Sequence, residues 1–152
     1  MHFWVIQEHF SNLFLSKLGS VLAISPAEDA GYVAAAAVAR DNLMLGINVI
    51  ADAVNPIEIT RNIWLEAAVG ARAKALSIEV ICSDEDEHKR RVETRSNDLS
   101  AITLPSWDQV RRRRFEPWKR HRLVVDTIQK QVQDCIEDII AAYSQLVRCG
   151  SY

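Results

Sequence analysis

The chain has 152 residues, 49% of them hydrophobic and 25% charged, enough for one sizeable core and too apolar for an intrinsically disordered chain. Eighteen basic against twenty acidic residues leave a net charge of −2, so no global excess of positive charge points to nucleic acid. Five glycines and four prolines exclude a collagen-like or low-complexity chain.

Cys82, Cys135 and Cys149 are odd in number and form no C-x-x-C pair, so neither a disulfide framework nor a zinc knuckle is expected. Buried thiols in a reducing cytoplasm are. Residues 1–25 are apolar-rich but have no basic leader region, and Lys17 interrupts the run. The apolar run 33–39 is far shorter than the roughly 20 residues that cross a bilayer. A cytoplasmic protein without a membrane partner is the expectation.

Residues 3–6 read as a short strand and 10–18 as helical. Ser25-Pro26 reads as a helix cap followed by proline in the first turn, with Glu28 and Asp29 at the positive end of the dipole. An Ala-rich helix should then run to about Leu45, where Gly46 stops it. The β-branched run 47–51 (INVIA) predicts a buried strand that ends at Asp52. Asn55-Pro56 caps the next predicted helix, with Glu58 as its capping-box partner and Ile59, Ile63, Ala67 and Gly70 in helical spacing.

Residues 76–82 (LSIEVIC) predict another strand, and Ser83 the cap of an acid-first, base-last helix, DEDEHKRRVETR. A polar loop follows over 96–104. Ser106 caps a short helix running towards Arg114, and residues 123–125 form a strand ending at Asp126. Residues 131–147 form an amphipathic helix with Val132, Ile136, Ile139, Ile140, Tyr143 and Val147 in one stripe.

Strands alternating with helices, and short apolar strands without polar alternation, predict an α/β fold: one domain over 1–152 with a mostly parallel sheet covered on both faces. Within it, 1–25 is a divergent N-terminal segment and 130–148 the C-terminal helix. Ligands of such sheets sit outside the carboxyl ends of the strands, where Asp52, Ser83 and Asp126 stand.

The chemical motifs are sparse. None of the glycines (19, 31, 46, 70, 150) precedes a lysine, so the phosphate loop G-x-x-x-x-G-K-S/T is absent. So are G-x-G-x-x-G and G-x-S-x-G. His2, His9, His88 and His121 lack metal spacing, so no metal site is expected, and no catalytic residue is assigned. Asp52 can hold a magnesium-bound water or orient a substrate hydroxyl, or simply end a strand. Arg91 and Arg95 share a helix face beside Arg90 and can close over polyphosphate. Alternatively they pair within a solvated helix, as Arg91 would with Glu87. Arg111, Arg112, Arg113, Arg114, Lys119, Arg120 and Arg122, interleaved with Phe115 and Trp118, can contact a nucleic acid strand. The preferred reading is a solvated face with two anchoring aromatics, because the acidic stretch 84–87 opposes a phosphate groove.

The run DNLMLGINVIADAVNPIEITRNIW, followed by EVICSDEDEHKRRVETR, LPSWDQV, FEPW and LVVDT, resembles a bacterial family of predicted P-loop kinases. These AAA-like ATPases are similar in fold to adenylate kinase and chloramphenicol phosphotransferase. The resemblance spans about residues 30–126. It implies a P-loop-kinase-like three-layer sheet and ATP-dependent phosphoryl transfer to an unidentified small acceptor, with ATP and Mg²⁺ as cofactors. It places Asp52, Asn55 and Arg61 at the substrate, Arg90, Arg91 and Arg95 on a lid (84–104) over the transferring phosphates, and Asp126 and Thr127 at the nucleotide base.

Members of that family open with a strand, a G-x-x-G-x-G-K-S/T loop and a helix, then a second strand ending in aspartate. On this chain the second strand would fall on residues 4–8, with Gln7 in place of the acid. The first βα unit, with its central strand, phosphate cradle and lysine, is then expected to be missing. The expected product is kinase-related, inactive or impaired, binding ATP weakly or not at all, and dimerising to cover the gap. A late start site, a truncated gene, a non-catalytic binding or regulatory module, and a nucleic-acid-binding protein using Arg111 to Arg122 are the rival readings.

Overall fold

A computed structural model of the chain describes residues 2–7, 30–95 and 104–148. The described elements, in chain order, are β1 (His2–Gln7), α1 (Ala30–Met44), β2 (Val49–Asp52), α2 (Glu58–Gly70), β3 (Lys74–Ile81), α3 (Glu85–Thr94), α4 (Trp107–Arg111), β4 (Leu123–Asp126) and α5 (Val132–Arg148). The fold is α/β, as the alternation of apolar runs predicts. The strands form one sheet in the order β2-β1-β3-β4, every pair parallel. No described helix is long and apolar enough to cross a membrane. The predicted helix at 10–18, the Ser25-Pro26 cap and residues 96–103 of the predicted loop lie outside the described residues.

The expectation of a missing central strand does not hold. β1 is hydrogen-bonded on both sides: Val5 is in register with Ala51 of β2 and with Ser77 of β3. Residues 2–7 therefore fill the centre of the sheet and are not an outer second strand. HFWVIQ is an almost uninterrupted run of aromatic and β-branched residues, the composition of a strand with neighbours on both edges.

One face of the sheet carries α1 and α2. Small residues let these helices approach closely: Ala36, Ala39 and Leu43 of α1 pack with Trp64, Ala67 and Ala68 of α2 over Ala51, and Val49 and Ala75 adjoin the cluster. Gly46, at φ +86°, ends α1, and its N–H reaches the Leu43 carbonyl at 3.0 Å. Only glycine adopts that conformation without strain. On the opposite face lie Ile78 and Val125, both fully buried, where α5 packs on β3 and β4. Lys74, at the start of β3, donates to the carbonyls of Leu146 (3.0 Å) and Val147 (3.3 Å) and so caps the end of α5.

Two predicted caps are corrected. The N-cap of α2 is Ile57, which supplies no side-chain bond. Glu116 supplies it instead: its Oε2 accepts the Glu58 N–H at 2.9 Å. Asn55 does not cap because its side chain is engaged elsewhere, as described below. At α3 the cap is Asp84, not Ser83, its carboxylate accepting the Glu87 N–H at 2.9 Å. The capping box of Ser106 with Gln109 forms as expected, but α4 ends at Arg111.

Leu43 has no exposed surface, whereas its neighbour Met44 is 64% exposed. Leu43→Ala should cost about 2–5 kcal/mol by loss of burial and creation of a cavity. Met44→Ala should stay within about 0.5 kcal/mol. Urea unfolding followed by circular dichroism measures both.

Candidate functional site

The chain places β2 on one side of β1 and β3 on the other. The direction of strand addition therefore reverses between β1 and β3, and outside their carboxyl ends lies the crevice where such sheets take ligands. Asp52 stands exposed at the carboxyl end of β2, in register with Ile6. Asp126 ends β4, at the opposite outer strand of the sheet, with β1 and β3 between the two carboxylates.

Asn55 and Arg61, placed at the substrate by the resemblance, are instead built into the fold. Asn55 is fully buried at φ +42°, a left-handed conformation that asparagine tolerates better than most residues. Its Oδ1 accepts the Trp64 indole N–H at 2.8 Å, its Nδ2 donates to the Ala53 carbonyl at 3.1 Å, and its N–H reaches the Tyr32 hydroxyl at 3.4 Å. Arg61 is only 5% exposed. Its Nε donates to the Asn55 carbonyl (2.9 Å) and its Nη2 to the carbonyls of Pro56 (3.0 Å) and Glu116 (2.7 Å). The guanidinium lies over the Trp118 ring, 4.5 Å from its centroid. Burial lowers the Arg61 pKa, and the carboxylates of Glu79 and Glu116 oppose that shift. Arg61 thus ties the 55–57 turn to the 115–118 segment.

The arginines assigned to a lid are held by the protein itself. Arg90 grips both oxygens of Glu87, at 2.6 and 2.7 Å, and Arg91 adds a bond to Oε1 at 2.7 Å. The hydrogen bond from Arg90, followed by that from Arg91, lowers the Glu87 carboxyl to about 2. Arg91 also donates to the Thr127 hydroxyl (2.8 Å) and carbonyl (3.2 Å). The structure therefore joins one expected lid residue to one expected base-loop residue. Arg95 donates to the Pro105 carbonyl at 3.2 Å.

Thr127 is fixed by bonds from its N–H and hydroxyl to the Ile81 carbonyl, at 2.8 and 2.9 Å. Asp126 Oδ1 accepts the N–H groups of Ser83 and Ile128, each at 3.1 Å. The Ser83 side chain and then the Ile128 N–H hold this carboxyl below its ordinary range. The loops after β3 and β4 are thereby cross-tied.

The basic segment divides. Arg111, Arg112, Arg114 and Arg120 are exposed and Arg113 half-buried. Lys119 pairs with Glu58, and Arg122 with Glu79. Trp118 lies against the guanidinium groups of both Arg61 and Arg122, so it serves as an anchor of the fold.

A cleft of about 440 Å³ opens between β3 and this segment, lined by Phe115, Trp118 and Arg122 together with Glu79, which the sequence did not single out. One signal was available. Glu79 is the only charge in the strand interior ALSIEVI, and a carboxylate in a partly buried strand requires a partner.

No family model and no curated protein matches this chain. Among solved structures, the crystal structure of APE1195 superposes with a TM-score of 0.60 at 17% identity, covering 100% of this chain and 96% of that one. The likeness is one of fold.

Arg61→Ala should destabilise the protein by about 3 kcal/mol, because three carbonyls lose a charged donor. Arg61→Lys should recover less than half of that, since an ammonium cannot reproduce the fork. Thermal unfolding of the two variants tests this. The depressed carboxyl of Glu87 sets a second expectation. Its contribution to stability is complete above the ordinary carboxyl value of 4.5 and is lost as pH falls towards about 2. An NMR titration of the Glu87 side chain should give a midpoint near 2, moving back towards 4.5 when Arg90 and Arg91 are both replaced by alanine.

Proposed function

We propose that this protein is related to ATP-dependent phosphotransferases and does not itself transfer phosphate. The observation that carries the reading is the position of β1 together with the sequence that follows it. β1 fills the sheet's centre, so its carboxyl end at Gln7 opens on the crevice where a phosphate loop would begin. The next eight residues are Glu8, His9, Phe10, Ser11, Asn12, Leu13, Phe14 and Leu15. They contain no glycine to let backbone N–H groups face a phosphate and no lysine to neutralise it, and Glu8 adds a negative charge. The first lysine, Lys17, precedes the first glycine, Gly19, the reverse of the motif's order.

Phosphoryl transfer depends on positioning and charge stabilisation. Loss of a single preorganised donor costs roughly 10²–10³ in turnover, so loss of a whole cradle leaves no useful rate. The engagement of Arg90 and Arg91 by Glu87 and Thr127 supports the same reading. A polyphosphate would have to displace partners already in place. The resemblance in sequence supplies the kinase relationship, with an unidentified small polar acceptor. ATP and Mg²⁺ belong to that relationship and not to the proposed activity of this chain.

Isothermal titration with ATP and Mg²⁺ should detect no micromolar binding, and micromolar binding would sink the proposal. Replacing residues 8–15 by an eight-residue G-x-x-x-x-G-K-S loop should bring binding into the measurable range, because the graft restores the missing donors at the end of the central strand.

A further inference from the structure

The cleft between β3 and the 115–122 segment gathers hydrogen-bonding capacity that the fold leaves unused. Glu79 is 19% exposed and Arg122 29% exposed along their side chains. Their bond joins Arg122 Nε to Glu79 Oε2. Among the described residues, Glu79 Oε1 and the two terminal nitrogens of Arg122 have no hydrogen-bond partner. The indole N–H of Trp118 is buried and also without one. The indole N–H, cut off from water, costs about 1–3 kcal/mol while no partner replaces it, whereas Glu79 Oε1 and the Arg122 terminal nitrogens stay within reach of the cleft. A carboxylate oxygen and a guanidinium edge with bonds to spare thus line one cleft of about 440 Å³, with Trp118 as part of its wall. That size lies within the range of about 300–1,000 Å³ typical of small-molecule sites.

The unused groups define the ligand. Glu79 Oε1 accepts, so it calls for an N–H. Arg122 donates, so it calls for a carbonyl oxygen beside that N–H. Glu79 neutralises Arg122, and Arg61 lies beside Glu116 behind Trp118, so the cleft favours no net charge. Phe115, Pro117 and Ile81 supply apolar and aromatic walls, which suit a planar body. We infer that this cleft binds a neutral planar heterocycle with a lactam edge, an N–H next to a C=O, as in guanine or uracil. Adenine lacks that edge. A site built on buried hydrogen bonds discriminates strongly against ligands that leave them unmade. The inference is independent of phosphoryl transfer: absence of ATP binding neither supports nor weakens it.

The Trp118 indole resonance in a ¹⁵N–¹H spectrum of the full chain, assigned by its loss in Trp118→Phe, reads the site directly. Guanosine and uridine should each shift it. Adenosine and N1-methylguanosine, in which the N–H is absent or blocked, should bind at least about tenfold more weakly. Glu79→Gln should weaken guanosine by at least about tenfold, with its melting temperature showing that it is folded. The inference is overturned if neither lactam nucleoside moves the resonance up to its solubility limit. Equal responses to guanosine and N1-methylguanosine would overturn it as well, and so would unchanged guanosine affinity in folded Glu79→Gln. The comparison of the two guanosines uses the unaltered protein, so it decides the matter even if the Glu79 variant does not fold.

Discussion

A buried guanidinium organises one half of this molecule. Arginine keeps its charge even where burial lowers its proton affinity, so the fold around Arg61 must supply counter-dipoles and counter-charge. It does so with three backbone carbonyls, the face of Trp118, and the nearby carboxylates of Glu79 and Glu116. Each of these belongs to a different functional part. The carbonyls of Asn55 and Pro56 shape the turn after β2. Glu116 reaches from the same segment to the first N–H of α2. Trp118 forms a wall of the cleft. The turn, the start of the helix and the cleft therefore share one electrostatic centre.

A second, smaller centre holds the other side of the carboxyl edge. Glu87 restrains two arginines of α3, and Arg91 extends the restraint to Thr127 after β4. Thr127 in turn hangs on the last residue of β3 through Ile81. An anion approaching α3 therefore competes with an internal carboxylate already at bonding distance. The cost of that competition depends on the acidity of Glu87, which the same two arginines set.

Much of the fold was legible, and the reasons for the misses are particular. β2, β3, β4 and the long helices announce themselves through apolar runs, helical spacing and terminal glycine, because these are local properties. The place of β1 in the sheet is not local. A six-residue apolar strand reads alike at the edge and at the centre, and only its partners, fully 40 or more residues away in sequence, decide. Asn55 looks like a cap because it precedes proline, but a left-handed backbone and the indole of Trp64 turn its side chain inward. The true cap, Glu116, comes from another segment and leaves no mark near the helix it serves. At α3, two cap-forming residues stand side by side, and sequence does not choose between Ser83 and Asp84. The motif containing Arg61 was visible, but its burial was not. A side chain that appears free to meet an anion is enclosed by carbonyls. Glu79 carried the opposite signal, a lone charge in an apolar strand.

The position of β1 also shapes how the molecule is made. His2–Gln7 emerges from the ribosome before either of its neighbours, and both of its edges remain open until residues 49–52 and 74–81 have been synthesised. Through that interval an aromatic, β-branched segment is available for pairing with other chains. The strand on which the finished sheet is centred is thus the nascent chain's most exposed liability. The described helices that intervene, α1 and α2, rest on local contacts that need no such delay.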